Sequence, residues 1–558
     1  MDSNYVVGVD FGSDSVRSIL VDTKDGRVLA TSVFSYPRWK KGDFCDPSRS
    51  RYRQHPSDHL EGLEKTISSV LQQSGVDPQK VKGIGVDATG SSPLPVDEAG
   101  VPLAFSEEFS EDPDAMMILW KDHSAIAEAE EITSLAKLWG GVDYTRYSGG
   151  TYSSEWFWAK ILFVSKNNPA VLAAQPNWLE HCDYLVGELT GKLKPEQVLR
   201  SRCAAGHKAM WHATWGGFPS QEFLGRLHPE LALLSQKMKS QTLTSDESAG
   251  YLSRKWAEKL GLSSQTLVAV GTIDAHAGAV GAGVKSGTLV KVMGTSTCDM
   301  LVANNNEVAS EPLQGISGQV DGSILSGLVG FEAGQAGFGD FLAWYKRLVT
   351  EPAMELIRSS DLLDPQLREK MASELSDKMM GYLNKQAAKV PLESGTLAVD
   401  WINGRRSPGL NETLKSALLG LDMGTGGGTV FKALVEALCF GSKRIIEWFR
   451  QNGIQIEQVI GIGGIAQKSP FLVQTMADVL NMPIAVAASA QTPALGAAIY
   501  AAVASGIYPS LESAAKAIAS PIAKEYYPIA ANAAYYQQKY QQYLALGEFV
   551  EFGRIGKV

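Results

Sequence analysis

The sequence predicts an α/β protein of two similar domains, residues 1–284 and 285–558, that face a common cleft. The chain has 558 residues, 44% of them hydrophobic, which is enough for more than one core. Its 55 glycines cluster after apolar runs, where they permit tight turns and close approach of a ligand. Two apolar hairpins with hydroxyl-rich turns, at 5–22 and 287–303, indicate a duplication. Two unrelated hairpins are the alternative explanation.

Strands and helices are predicted to alternate along the chain, as α/β folds require. Apolar runs predict strands at 81–86, 266–273 and 459–464. Apolar residues at helical spacing predict helices at 56–74, 431–451 and 470–480. Helical additions to the second domain are predicted within 346–389 and 511–558.

Charge and composition exclude several classes of partner. Lys and Arg number 51 and Asp and Glu 60, so the formal net charge of −9 argues against binding to nucleic acid or anionic membranes. The most apolar charge-free segment, 494–507, is too short to span a bilayer and predicts a buried helix. The five cysteines are scattered without a C-x-x-C pattern, and no export signal is visible. We therefore expect a soluble cytoplasmic protein, and a homodimer is left open.

The first hairpin turn carries groups that suit a nucleotide. Asp10 ends an apolar strand, and such a carboxylate can hold Mg²⁺ through water molecules. The turn that follows offers backbone amides and the hydroxyls of Ser13 and Ser15 to phosphate oxygens. An ordinary hairpin turn would use the same residue types. The second turn, Gly294-Thr295-Ser296, favours the nucleotide, because a triphosphate between two domains needs donors from both sides.

Asp274 is the candidate base. It ends an apolar strand and is followed by small residues, so its carboxylate could project into a cleft and accept a hydroxyl proton during phosphoryl transfer. The alternative is that Asp274 caps the helix that follows. His276 is expected to be a packed residue rather than a ligand, and the absence of an H-E-x-x-H pattern predicts no structural metal.

Two common nucleotide motifs are absent from the sequence. Residues 459–470 lack the G-x-G-x-x-G spacing of dinucleotide folds, and no G-x-x-x-x-G-K-[ST] occurs. Gly463 and Gly464 instead lead into a helix, where an adenosine could lie against the backbone. Polar groups that suit a polyhydroxylated substrate occur at Ser91, Lys208, Glu332 and Gln335, although each one alone is also explained by a structural hydrogen bond.

Four segments together resemble the FGGY family of carbohydrate kinases, and the resemblance runs from residue 6 to about 506. They are DFGSDSVRS (10–18), GTIDAHAG (271–278), MGTST (293–297) and GIGGIAQKSPFLVQTMADVLNMPI (461–484). The resemblance implies two actin-like (RNase H-like) ATPase domains that flank a central cleft. The segments 87–97, 119–125, 180–191, 204–212 and 330–340 are similar to those of the bacterial family members that phosphorylate L-ribulose.

The resemblance implies ATP-dependent transfer of a phosphoryl group to L-ribulose, giving the 5-phosphate in L-arabinose catabolism, with related ketopentoses as further substrates. It implies that Asp274 is the catalytic base and that Asp10 and Asp274 bind Mg²⁺. The implied sugar-binding residues are Ser91, Leu94, Lys208, Asp274 and Glu332. The implied ATP-binding residues are Gly12, Ser13, Ser15, Arg17, Gly294, Thr295, Ser296, Gly334, Gly463, Gly464 and Lys468.

Three other functions fit part of the pattern. Another kinase of the family, such as a xylulokinase, would share the ATP loops. An actin-like ATPase that acts as a chaperone or filament would need no sugar-facing Asp274, Lys208 or Glu332. A catalytically silent sugar-binding protein would be expected to lose Asp10 or Asp274, and both are present. Glycerol is disfavoured as substrate because Gly90-Ser91 replaces the Arg-Glu pair of glycerol kinases.

Overall fold

Seven strands form the first sheet in a computed structural model that describes residues 4–309 and 311–553. The central strands Tyr5–Phe11 and Val81–Ala88 are parallel, and Asp10 is paired with Asp87. Because both faces of a central parallel strand are covered, these strands are continuous apolar runs rather than alternating ones. The strand order is Ser248–Tyr251, Leu267–Ala269, Val81–Ala88, Tyr5–Phe11, Ser15–Asp22 and Val28–Ser35, and Thr272–Ile273 also pairs with Val81–Ala88.

Two helices cover opposite faces of this sheet. Thr492–Ala504 packs against the central strands, and its approach is so close that a Cβ atom at Gly8 or Gly85 would overlap its backbone. Pro56–Ser74 packs against the hairpin on the other face, where Gly62 lies against Val16. Alternating residues of a strand point to opposite faces of the sheet. The glycines of Tyr5–Phe11 and Val81–Ala88 therefore face Thr492–Ala504, and the larger side chains face the helix on the other side.

The remaining elements of this part of the chain are helices and short strand pairs. A second apolar cluster lies among the helices around Trp158 and Phe223. The helices are Pro37–Lys41, Ile126–Leu138, Phe157–Asn167, Pro169–Ala173, His181–Thr190, Arg202–Lys208, Gln221–Leu227, Pro229–Lys237, Arg254–Leu260, Asp274–Gly281 and Leu511–Ile518. The strand pairs are Arg53–Gln54 with Met117–Ile118, Pro93–Val96 with Asn177–Glu180, Arg200–Ser201 with Thr242–Leu243, and Gly318–Asp321 with Val329–Ala333.

A second mixed sheet organises the later part of the chain. Its strands Thr288–Met293, Gln458–Ile462 and Ile484–Ala487 are parallel neighbours, and Ile522–Tyr526 adds an antiparallel edge. Thr297–Ala303 lies beside Thr288–Met293. The helices are Gly339–Arg358, Pro365–Ala387, Gly427–Gln451, Gly464–Lys468, Pro470–Leu480 and Ala530–Phe552, and a short pair joins Leu397–Ala398 to Leu418–Leu419.

The chain divides into two compact units that alternate along the sequence. The first comprises the chain up to Ser286 together with Met300–Glu332 and Gln491–Pro521. The second comprises Gly287–Asp299, Ala333–Ala490 and the chain from Ile522 onward. The linear division at residue 284 stays a prediction about the two domains.

The predicted α/β class and most predicted elements are confirmed, with two corrections. The strand predicted at 266–273 is interrupted, because Gly271 packs closely against Cys182 between Leu267–Ala269 and Thr272–Ile273. The segment 511–558 was predicted to be helical, but it contains the strand Ile522–Tyr526, a largely exposed sheet edge without apolar alternation. Residues 554–558 of that segment lie outside the described residues. No helix in the described part of the chain is both long and apolar enough to cross a bilayer.

Candidate active site

Three carboxylates meet at the carboxyl-terminal edge of the first sheet. Parallel pairing aligns Asp10 with Asp87, and Thr272, two residues before Asp274, is also paired with Asp87. Asp87 is fully buried, and its carboxyl is hydrogen-bonded to the carboxyl of Asp10. Burial, together with the charges of Asp10 and Asp274, raises the pKa of Asp87 well above its usual value. Burial and the neighbouring carboxylates therefore oppose ionisation of Asp87.

Asp87 was missed as a functional residue in the sequence analysis. The signal that could have found it is a repeat, because Gly-Val-Asp occurs at 8–10 and again at 85–87, each time at the end of an apolar strand. Since the carboxyl ends of parallel strands share one sheet edge, two strands of this type bring their carboxylates together.

Asp274 begins the helix Asp274–Gly281, but it does not cap it. The N-cap position is Ile273, and the Asp274 carboxylate accepts from its neighbour's amide, Ala275 N, at 2.7 Å, which is not a capping hydrogen bond. The alternative interpretation of Asp274 as a helix cap is therefore wrong. Burial and the nearby charge of Asp10 raise the pKa of Asp274 to about 7. A carboxylate with this pKa is half ionised near neutral pH and is well suited to accept a proton.

Asp10 lies next to a cation and to the first hairpin turn. Arg17 Nη1 is 3.6 Å from Asp10 Oδ2. Burial raises the pKa of Asp10 and the charge of Arg17 opposes that shift. In the turn, Gly12 N donates to Ser15 O at 3.0 Å, and Ser13 Oγ accepts from the indole of Trp120 at 2.8 Å. Gly12, Ser13 and Ser15 are all partly exposed, so their polar groups remain accessible to a ligand.

Lys208 and Glu332 form a buried ion pair. Lys208 Nζ lies 2.7 and 2.8 Å from the two carboxylate oxygens of Glu332, although 124 positions separate the residues. Burial is the largest single influence and would raise the pKa of Glu332, but Lys208, His276 and His207 together outweigh it and lower the pKa to about 2. The pair is close enough to Asp274 for both charges to shift its pKa, Lys208 downward and Glu332 upward. The structure thus brings together the predicted base and two of the predicted sugar-binding residues.

The side chains of Ser91 and Leu94 are buried within the first unit. The Ser91 hydroxyl donates to Glu180, and Glu180 Oε2 also accepts from Ser92 N at 2.9 Å. Leu94 is part of the hydrophobic core. The buried Lys160 donates to Ser91 O at 2.7 Å, and burial lowers its pKa to about 7. Glu180 and Lys160, which the sequence analysis missed, hold this segment in place, and the sugar contacts of Ser91 and Leu94 stay a prediction.

In the second unit, the predicted ATP loops are neighbours. The turn after Thr288–Met293 exposes Gly294 and Thr295, and Gly294 O accepts from Gly339 N at 3.0 Å. Gly463 has φ of 90°, and a Cβ atom there would crowd Met293 O at 2.8 Å. Gly464 and Lys468 are exposed, and Gly464 faces open space. Ser296 is partly exposed on the same turn. These groups form one accessible surface of the second unit.

Two of the predicted site residues in this unit are buried in its interior instead of being accessible to a ligand. Gly334 is buried, and any side chain there would overlap Thr297 O, so its role is close packing behind the turn. Gln335, which was considered for sugar recognition, donates to Asp400 at 2.7 Å and accepts from Ser442 at 2.8 Å. Its amide is therefore already bonded within the second unit.

Comparison with known proteins identifies the family to which the chain belongs. Residues 5–281 match the N-terminal domain of the FGGY family of carbohydrate kinases, and residues 289–505 match its C-terminal domain. The chain is 44% identical over 551 residues to the ribulokinase of Vibrio parahaemolyticus, covering 98% of this chain and 96% of that protein. It is 36% identical over 566 residues to the ribulokinase of Halalkalibacterium halodurans, covering 99% and 96%.

Solved structures support the same architecture. Xylulose kinase from Rhodospirillum rubrum is similar with a TM-score of 0.78 at 19% identity, covering 99% of this chain and 100% of that one. Plasmodium falciparum glycerol kinase with ADP is similar with a TM-score of 0.74 at 15% identity, covering 98% of each chain. At these identities the likeness shows the fold alone, and it confirms the predicted fold class.

Proposed function

The chain belongs to the FGGY family of carbohydrate kinases, and on that basis we propose that it phosphorylates L-ribulose with ATP in L-arabinose catabolism. The observation that carries the proposal is the placement of Asp274, with a pKa of about 7, near the buried Lys208–Glu332 pair. This arrangement supplies a proton acceptor beside a donor and an acceptor for sugar hydroxyls. The ribulokinases that match along nearly the whole chain support a ketopentose as substrate.

In the proposed step, the Asp274 carboxylate accepts the proton of the sugar's C5 hydroxyl. The hydroxyl oxygen forms a bond to the γ-phosphorus of ATP, and the bond from that phosphorus to the β–γ bridging oxygen breaks. ADP and the sugar 5-phosphate are the products. Lys208 and Glu332 orient the sugar, because a charged donor and a charged acceptor held rigidly select one arrangement of hydroxyls.

We propose that the first hairpin turn and the Gly294 turn bind the phosphates, since both expose amides and hydroxyls. The residues concerned are Gly12, Ser13, Ser15, Arg17, Gly294, Thr295 and Ser296, and Gly463, Gly464 and Lys468 are assigned to the adenosine. Gly334 acts indirectly, by packing behind the second turn. Asp10 and Asp274 offer the oxygen ligands that Mg²⁺ prefers. Mg²⁺, when bound, neutralises charge on the phosphates. A cytoplasmic location and a homodimer stay predictions.

A coupled ADP-release assay tests the substrate. L-ribulose, D-ribulose, L-xylulose, D-xylulose, ribitol and glycerol are compared at saturating MgATP. L-ribulose is expected to have the highest kcat/KM, about tenfold or more above D-xylulose, because an inverted hydroxyl leaves a buried polar partner unpaired. A preference for D-xylulose would make the chain a xylulokinase, and ADP release that no sugar stimulates would contradict sugar phosphorylation.

The pH dependence of kcat/KM tests the base. The ionised form of Asp274 is the active one, and burial places its pKa near 7 in the free protein. We therefore expect kcat/KM for the sugar to be level at higher pH and to fall about tenfold per pH unit well below 7. Thermal unfolding at each pH serves as the control for loss of structure. A kcat/KM that stays constant down to about pH 5.5 would contradict a base with this pKa.

A further inference from the structure

Two buried histidines lie against Glu332. His207 Nδ1 is 3.6 Å and His276 Nε2 is 3.7 Å from Glu332 Oε2. One ligand-type atom from each of the three residues lies within 4.8 Å of the others. His276 is fully buried, and neither of its ring nitrogens has a hydrogen-bond partner in the structure. The ring nitrogens of His276 therefore keep hydrogen-bonding or metal-binding capacity that no atom of the described residues uses.

The hydrogen bonds of His207 fix its tautomer. Ser323 Oγ donates to Val320 O at 3.0 Å, so it accepts from His207 Nε2–H, also at 3.0 Å. In the neutral ring, Nδ1 then carries a lone pair that faces the Glu332 carboxylate. Two lone pairs at this separation repel each other unless a cation lies between them. A histidine whose second ring nitrogen is anchored by a hydroxyl or carbonyl is also the usual form of a metal ligand.

We propose that His207, His276 and Glu332 form a site for Zn²⁺ or a similar divalent transition-metal ion. Two imidazoles and a carboxylate are the ligand set of many three-ligand zinc sites, whereas Mg²⁺ prefers oxygen ligands. Zinc bonds of about 2.0–2.2 Å place ligand atoms about 3.3 Å apart in a tetrahedral site. The two observed histidine–carboxylate distances exceed that value by a few tenths of an ångström, which small rotations of the side chains can supply.

Bound metal would regulate the proposed kinase activity. This regulatory role rests on the proposed function. Glu332 Oε2 also accepts from Lys208 at 2.8 Å, so an ion on that oxygen competes with Lys208 for the carboxylate. Both residues are assigned to the sugar. Glu332 is the most accessible of the three ligands, at 7% exposed against 0% for His276. Bound metal is therefore expected to weaken sugar binding and to act as a competitive inhibitor.

Titration with Co²⁺, a spectroscopic substitute for Zn²⁺, tests the site without nucleotide or sugar. The full chain, freed of metal by a chelator, is expected to bind one equivalent with the visible absorption of a low-coordinate cobalt site, and Zn²⁺ is expected to abolish that absorption. His276→Gln should weaken binding by about tenfold or more, and Ser323→Ala by about tenfold through loss of the anchor on His207. His181→Gln is the matched control, because His181 is equally buried and its ring nitrogens also lack partners, yet no such cluster surrounds it among the described residues.

Equal affinity in the parent, His276→Gln and Ser323→Ala would overturn the proposal, as would an absence of cobalt absorption. If His276→Gln does not fold, Ser323→Ala decides the result. In the activity arm, Zn²⁺ should raise the apparent KM for L-ribulose, and Ser323→Ala should need about tenfold more Zn²⁺ for the same rise. Cobalt binding with an unchanged sugar KM would support the site and refute the competition. Failure of the parent to phosphorylate L-ribulose would refute the proposed function, while the cobalt titration still decides the metal site.

Discussion

The Asp274→Asn variant is expected to lose about 10²–10⁴-fold in kcat while it still binds ATP. Asn has nearly the same shape as Asp and can accept the hydrogen bond from the Ala275 amide, but it cannot accept the proton of the sugar hydroxyl. Steady-state kinetics give the loss in kcat, and calorimetric titration with ATP separates chemistry from binding. Turnover within about tenfold of the parent would remove Asp274 as the base.

Stability measurements distinguish this loss of chemistry from a loss of structure. The folded-state pKa of Asp274, about 7, lies above its ordinary value of 3.8, so the carboxyl stabilises the fold at low pH and loses that contribution as the pH rises through this window. Asn has no such ionisation, and the variant should therefore be at least as stable as the parent at pH 8. Asp364→Asn is the matched control, because Asp364 also lies at a helix start, where it accepts from Leu367 N, and Asn caps equally well.

Lys208→Met is expected to raise the sugar KM and to lower the free energy of unfolding by about 3–5 kcal/mol. Met preserves the aliphatic stem but leaves the Glu332 carboxylate buried without its counter-charge. Because Lys208 lowers the pKa of Asp274, the variant's kcat/KM profile should also move to higher pH. Denaturant unfolding gives the stability, and the ADP-release assay gives KM and the profile.

The second unit provides a matched control for this variant. Lys539 Nζ donates to Glu436 Oε2 at 2.6 Å, and both residues are buried. Lys539→Met should therefore leave the sugar KM unchanged, and it should cost less stability than Lys208→Met because Lys432 Nζ remains 3.7 Å from Glu436. The double variant Lys208→Met with Glu332→Gln should recover part of the stability, since no unpaired charge remains, but not the sugar KM. An unchanged sugar KM in Lys208→Met would remove Lys208 from the sugar site.

Much of the fold could be predicted from local patterns. The helices Pro56–Ser74 and Pro470–Leu480 have the predicted bounds, because apolar spacing near the helical period and an initial proline are both visible in the sequence. The first hairpin was predictable from its apolar strands and its glycine turn. The edge strand Ile522–Tyr526 was not, because its largely exposed residues leave no alternation to recognise.

The sequence by itself determined the elements, the turns and the residue types that can carry chemistry, including Asp10 and Asp274. Only the tertiary structure decided the pKa values of these residues and the contacts that their side chains make. The pKa of Asp87 is raised because sheet register places it beside Asp10 in the interior, and Lys208 meets Glu332 across 124 positions. Ser91, which was expected to face the sugar, gives its hydroxyl to Glu180. Periodicity and turn preferences act over a few residues and are visible in a sequence, whereas burial and charge–charge distances depend on which distant segments pack together.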